Sequence, residues 1–215
     1  MGDAGVIRQG AILIRNGLVE AVGPARRVRR HPRARGATRL DAAGQVVMPG
    51  FVDSHTHALF VGSRVGEYVA RIRGATYEEL ARAGGGIQSS ANTIRTARLP
   101  VLVEVLARAA GRFLAHGTTT VEVKSGYGLD VSQELKMLMA IRAAARRVDV
   151  ELVPTLLIHD IPKRMKARRS AFLRQIVQDL IPRVAREGLA EFCDVFCDRG
   201  YFSVAETHDL LHAGT

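Results

Sequence analysis

The stretch Val46-Val47-Met48-Pro49-Gly50-Phe51-Val52-Asp53-Ser54-His55-Thr56-His57 decides how the rest of the chain is read. It reads as a buried strand that ends in a His-x-His pair. Pro49-Gly50 breaks the chain just before the apolar Phe51-Val52 and sets where the strand begins. Strand side chains alternate between faces, so His55 and His57, two residues apart, project the same way. Two imidazoles on one face at a strand end can hold a divalent metal. A bare pair of this kind is also compatible with a partly solvated strand end, so its surroundings have to decide.

Downstream, strands alternate with helices, the pattern of a parallel α/β fold. Residues 58–86 are dotted with glycine and hold one short helix, for which Thr76-x-x-Glu79 is a capping box and Gly84-Gly85-Gly86 the stop. A helix opens at Leu99-Pro100, keeps Leu102, Val105, Leu106, Ala109, Phe113 and Leu114 at helical spacing, and ends at Gly117. Thr118-Thr119-Thr120-Val121-Glu122-Val123 is β-branched and reads as the second strand, followed by the Gly-rich loop Lys124-Ser125-Gly126-Tyr127-Gly128. A helix over 132–147, a strand over 151–158 ending at His159, and a helix over 170–186 come next. The buried stripe of that last helix is Ile176, Val177, Leu180, Ile181 and Val184, and Gly188 caps it. The fourth strand is 192–197, and Ser203-x-x-Glu206 starts a final helix.

Upstream, Ala11-Ile12-Leu13-Ile14-Arg15 and Leu18-Val19-Glu20-Ala21-Val22 flank Asn16-Gly17, a hairpin signal with a type I′ turn. Thr38-Arg39-Leu40-Asp41 is a candidate further strand. This segment is too short to hold its own core and calls for partner strands. The expected division is therefore a partial small β domain over 1–46 and an α/β region over 47–215.

Composition narrows the function classes. A chain of 215 residues can bury a substantial core. No apolar run reaches the roughly 18 residues needed to span a bilayer, and the N-terminus has no signal-peptide pattern, so a cytoplasmic protein is expected. Cys193 and Cys197 are expected to be buried reduced thiols. The net charge is +10, the positive charge is nearly all arginine, and two basic runs stand out, 26–39 and 163–169. Neither run is interleaved with aromatics or set in a nucleic-acid motif, so no nucleic-acid partner is expected, and none in a membrane.

The polar candidates all follow strand C-termini: His55 and His57 after the first, Tyr127 after the second, His159 after the third. That is where (β/α) barrels carry their active sites. A closed barrel needs eight strands and four β/α units are present, so the reading is half a barrel.

These residues resemble the amidohydrolase superfamily of metal-dependent hydrolases, through 49–57 and through His116-Gly117-Thr118-Thr119-Thr120 at the start of the second strand. Arg73-Gly74-Ala75-Thr76-Tyr77, Ala83-Gly84-Gly85-Gly86-Ile87, Glu122-Val123-Lys124-Ser125-Gly126-Tyr127-Gly128-Leu129 and Cys193-Asp194-Val195-Phe196-Cys197 together resemble the imidazolonepropionase family within it. The resemblance covers nearly the whole chain and roughly the N-terminal half of the family. It implies the first four β/α units of a (β/α)8 TIM-barrel-type amidohydrolase fold, plus part of a small N-terminal β-sandwich. It implies hydrolysis of 4-imidazolone-5-propanoate to N-formimidoyl-L-glutamate with one zinc or iron ion.

Carried over by motif, His55 and His57 are metal ligands, and Arg64, Tyr127 and His159 contact the substrate. A guanidinium fork suits a propanoate carboxylate. Lys124 is read as a loop residue and not as a ligand. The remaining metal ligands and the acid/base glutamate are expected beyond Thr215, so no catalytic residue is assigned within the chain, and the chain alone is expected to be inactive. Two alternatives stand beside this reading. One is another cyclic amidase or deaminase of the superfamily, against which Arg64 and Tyr127 speak. The other is a non-catalytic half-barrel binding domain, whose open sheet edges would favour a homodimer.

Overall fold

The computed structural model describes residues 5–76, 79, 80, 83 and 85–215. They form two compact units, Met1–Met48 and Pro49–Thr215.

In the first unit, β1 (Gly10–Arg15) and β2 (Leu18–Pro24) pair antiparallel, with a register shift at Leu13/Ile14. Asn16 and Gly17 take φ of 51° and 77°, the positive values a type I′ turn requires. A single turn, α1 (Ala25–Val28), follows, and Leu13 and Val28 are the buried apolar side chains of the unit. The strand expected at residues 38–41 does not form, and Leu40 is 97% exposed. Among the described residues no strand pairs with it to take up its backbone hydrogen bonds.

The second unit is built on a parallel sheet whose order follows the chain: β3 (Phe51–Asp53), β4 (Thr118–Lys124), β5 (Glu151–Ile158) and β6 (Phe192–Val195). Its described helices include α2 (Val65–Ile72), α3 (Gly86–Thr96), α4 (Leu99–Ala115), α5 (Val131–Ala145), α6 (Arg169–Gln175), α7 (Ile181–Glu187) and α8 (Val204–Ala213). Because all four strands run the same way, their C-terminal ends share one edge. The core lies between the sheet and its crossover helices, with Val121, Val123, Leu102, Leu106, Met137 and Ile141 all fully buried.

Several elements differ from expectation. The opening strand is three residues long and not buried: Phe51 and Val52 are 55% and 68% exposed. β3 is an edge strand with β4 as its one sheet neighbour, and no described helix packs closely on it. Residues 58–86 hold two helices that glycine spacing concealed, α2 and the start of α3. Gly86 opens α3, while the Gly85 N–H donates to the Leu80 carbonyl at 3.0 Å, so the glycine run also ends the turn before it, as expected. The capping-box bonds at Thr76 do form: its N–H donates to Glu79 Oε2 at 2.8 Å, and the Glu79 N–H donates to Thr76 Oγ1 at 3.2 Å. The Leu80 N–H donates to the Thr76 carbonyl at 3.2 Å and the Ala83 N–H to the Glu79 carbonyl at 3.0 Å, so the expected helix does open there; Tyr77, Glu78, Ala81, Arg82 and Gly84 lie outside the described residues.

On α4 the buried face is Leu102, Val103, Leu106, Ala109 and Ala110, which leaves Leu114 exposed. α6 and α7 are one expected helix, joined through a π-helical stretch at Ile176–Leu180. Pro182 has no N–H to give and crowds the carbonyl four residues back, so the preceding turn widens. Cys193 is partly buried on β6, and burial pushes its thiol up to about 11; Cys197 lies past the strand end and is exposed, not buried as expected.

One ion pair ties α6 to α8. Arg169 donates to both oxygens of Glu206, Nε to Oε1 at 2.5 Å and Nη2 to Oε2 at 2.6 Å. Glu206 also closes the capping box with Ser203. The Arg169 hydrogen bond, ahead of the opposing effect of burial, holds the Glu206 carboxyl at about 2 against an ordinary 4.5. A carboxyl lowered in the folded state contributes stability that is full above the unfolded value and is lost as pH falls through the folded one. The stability gap between the protein and a Glu206→Gln variant should thus be constant above about pH 5 and close between 4.5 and 2. Urea unfolding across that range measures it; a gap independent of pH would show that the pair contributes nothing as a charge.

Candidate active site at the C-terminal sheet edge

The shared C-terminal edge gathers side chains from four strands. His55 and His57 follow β3, Tyr127 follows β4, His159 follows β5, and Asp194 sits on β6. His57, Tyr127 and His159 form a triangle, with ring centroids 5.3 Å apart for His57–Tyr127, 5.5 Å for His57–His159 and 5.2 Å for Tyr127–His159. Phe60 and Phe196 pack on Tyr127 and His159 respectively. Tyr127 is buried, 6% exposed.

The histidine segment is pinned by the residue between the two rings. Thr56 is buried; its N–H donates to Glu122 Oε2 at 3.0 Å and its hydroxyl to the Glu122 carbonyl at 2.6 Å. The Lys124 N–H donates to the Thr56 carbonyl at 3.1 Å. Lys124 itself corrects the sequence reading: it is the last residue of β4 and buried, not part of a loop. Its ammonium donates to Glu122 Oε1 at 2.7 Å and to Asp194 Oδ2 at 2.8 Å. Burial opposes ionisation of both Lys124 and Glu122, but the hydrogen bonds outweigh it, raising the lysine and lowering the glutamate.

Burial, then the like charges of His55 and Lys124, lowers the pKa of His57; burial, then His57, brings His159 down to about 4. Both rings are therefore neutral near pH 7, and neutral imidazole is the metal-ligating form. The Nδ1 atoms of His57 and His159 are buried without a hydrogen-bond partner. Such atoms mark a place where something else completes the contact.

A metal lies in the plane of each imidazole that binds it. The His55 and His57 planes cross at 78°, whereas His57 and His159 stack at 17°. The crossed planes of the first two allow both rings to face one ion. Among the described residues no group of three or more His, Cys, Asp or Glu side chains converges on a metal position. The donor set thus fits one divalent ion through His55 and His57 and leaves its remaining positions to be filled.

Arg64 precedes α2, and Nε and Nη2 donate to Glu67 Oε2 at 2.9 and 2.6 Å. Glu67 accepts in turn from the Gly86 N–H that opens α3. The Arg64 hydrogen bond holds the Glu67 carboxyl below its ordinary range, and the guanidinium charge is felt at His159.

Glu67, Glu122 and Asp194 escaped the sequence reading. Glu122 alone left a signal, since strand alternation places it on the same face as Lys124. Asp160, adjacent to His159, is likewise buried, and Gln88 of α3 donates to it at 2.9 Å.

No family model matches the chain. Curated proteins do. The imidazolonepropionase of Symbiobacterium thermophilum is 47% identical over 214 residues, 98% of this chain and 50% of that protein. That of Myxococcus xanthus is 44% identical over 214 residues, covering 99% and 51%, and that of Haloarcula marismortui 44% over 207, covering 95% and 49%. The chain spans about half the length of the curated relatives it matches.

Proposed function

The chain is, along nearly its whole length, a relative of the imidazolonepropionases, and from this we propose that it forms the metal-side and substrate-binding half of such an active site. The reaction is hydrolysis of 4-imidazolone-5-propanoate to N-formimidoyl-L-glutamate, a step of histidine degradation. The observation that supports it most is the meeting of His57, Tyr127 and His159 from three different strands.

In this reading the four-stranded sheet is the first half of a (β/α)8 barrel, and residues 1–46 are part of a composite β domain. His55 and His57 hold one zinc or iron ion; imidazole suits either. When bound, the metal lowers the pKa of a water and polarises the ring carbonyl. Glu122 and Lys124, through Thr56, hold the two ligands in place. Arg64, aimed by Glu67, takes the propanoate carboxylate. His159, neutral because it is buried, presents one ring nitrogen to the polar edge of the imidazolone, and Tyr127 packs beside it. No residue of the chain is assigned the acid–base role. A cytoplasmic setting accords with both thiols being unbonded.

The carboxylate assignment is testable by itself. Imidazole-4-propanoate has the acid group and no hydrolysable ring carbonyl. Arg64→Ala should weaken its binding roughly 10- to 100-fold, the range of a charge-assisted hydrogen bond at about 1.5–3 kcal/mol, and leave zinc binding unchanged. Isothermal titration reads both. Equal affinity in the two proteins would take Arg64 out of the substrate site.

A further inference from the structure

Glu134, in the first turn of α5, is a buried carboxylate with no part in the chemistry above; it is 4% exposed. Its Oε2 accepts from the Gly126 N–H at 2.7 Å and its Oε1 from the Leu129 N–H at 2.8 Å. Burial pushes its pKa up, while these two donors, with Ser125 and the Gly128 N–H, favour the charge. The start of a helix favours it too. Both oxygens are thus turned toward one five-residue loop, and the loop carries Tyr127 at its centre.

That loop is not one the chain would adopt unaided. Gly126 has φ +98°, and Leu129 takes φ +58°, a left-handed conformation that costs a branched side chain energy. Gly128 lies so close to α5 that a Cβ there would come within 2.4 Å of the Glu134 nitrogen. The Glu134 bonds fall on Gly126 and Leu129, the two positive-φ positions, one on each side of Tyr127. With them in place, the Tyr127 ring sits 5.3 Å from His57 and 5.2 Å from His159.

We propose that Glu134 is a positioning residue: its two oxygens clamp the 125–129 loop in the one conformation that presents Tyr127 to the histidines and the substrate. The functional half of this rests on the reading that Tyr127 contacts substrate; the clamp itself does not. A carboxylate is needed because it accepts on both oxygens, whereas glutamine would turn an N–H donor toward one of the two loop N–H groups.

The test uses Glu134→Gln, Tyr127→Phe and the double variant, with hydrogen exchange and imidazole-4-propanoate affinity as readouts. Glu134→Gln should speed exchange of the 125–129 amides about tenfold or more and leave the sheet and the other helices protected as before. It should weaken the analogue about tenfold, yet less than about twofold further in the Tyr127→Phe background, since a residue acting through Tyr127 has little left to act on. Unchanged loop exchange, or faster exchange throughout the protein, would overturn the clamp. Equal loss of affinity in both backgrounds would overturn action through Tyr127. Should the protein itself not bind the analogue, the substrate reading of Tyr127 fails while the exchange result still decides the clamp. The near-isosteric glutamine variant carries the test even if Glu134→Ala does not fold.

Discussion

Lys124→Ala is expected to cost about 3–5 kcal/mol of folding stability, the usual penalty for removing one partner of a buried ion pair. The Lys124 and Glu122 side chains are 7% and 11% exposed, so the carboxylate left behind cannot recover its hydration. Asp194, at 39%, can, which places the value nearer the lower end. The loss comes from the stranded Glu122 charge and not from the missing methylenes. Lys124→Met should therefore be nearly as damaging, and adding Glu122→Gln to it should restore much of the stability. Urea unfolding of the three variants measures this; a Lys124→Met protein as stable as its parent would show that the network is not strained by losing its cation.

The damage should reach the histidines as well. Glu122 holds the Thr56 N–H between them, and disturbing a residue that orients metal ligands typically lowers metal affinity 10- to 100-fold.

His57→Ala is expected to reduce zinc affinity about a hundredfold or more. Four-ligand structural zinc sites are worth roughly 10–16 kcal/mol, or on the order of 3 kcal/mol for each ligand. His57 is half-buried and packs by ring contacts, so the fold should survive. His159→Ala is the informative control, because its ring lies beside His57 at 5.5 Å and is assigned to the substrate and not to the metal. Zinc affinity should then be nearly unchanged. Competition with a chromophoric chelator separates the two variants; equal losses would make His159 a ligand and refute its assignment to the substrate.

What was legible in the sequence was local. Asn16-Gly17 specifies its turn through two positive φ angles, and the His-x-His pair follows the first strand of the sheet, although that strand ends at Asp53, before it. The order of the four parallel strands followed from their alternation with helices. His57, Tyr127 and His159 could be chosen because each follows a strand, and parallel strands bring those ends to one edge.

What was not legible depends on which elements become neighbours. Lys124 looked like loop because a Gly-rich run follows it, and its burial depends on Asp194, seventy positions later and two strands across the sheet. Glu67 gained its role only when α2 and α3 emerged from a stretch dominated by glycines. The apolar Phe51 and Val52 announced a buried strand, but burial depends on what packs against an edge, and residue type cannot supply that. No motif singles out Glu134, because its role depends on the loop that winds back over it.

The central claim is that these residues make the metal-side and substrate-binding half of an imidazolonepropionase site. It is tested most directly by joining the 215 residues to the part of the Symbiobacterium thermophilum relative that they do not match, and measuring conversion of 4-imidazolone-5-propanoate to N-formimidoyl-L-glutamate. The expected result is turnover that a chelator abolishes and zinc or iron restores, and that His57→Ala lowers by about two orders of magnitude or more. A folded chimera that does not convert the substrate, or one whose turnover is indifferent to His57→Ala, would contradict it.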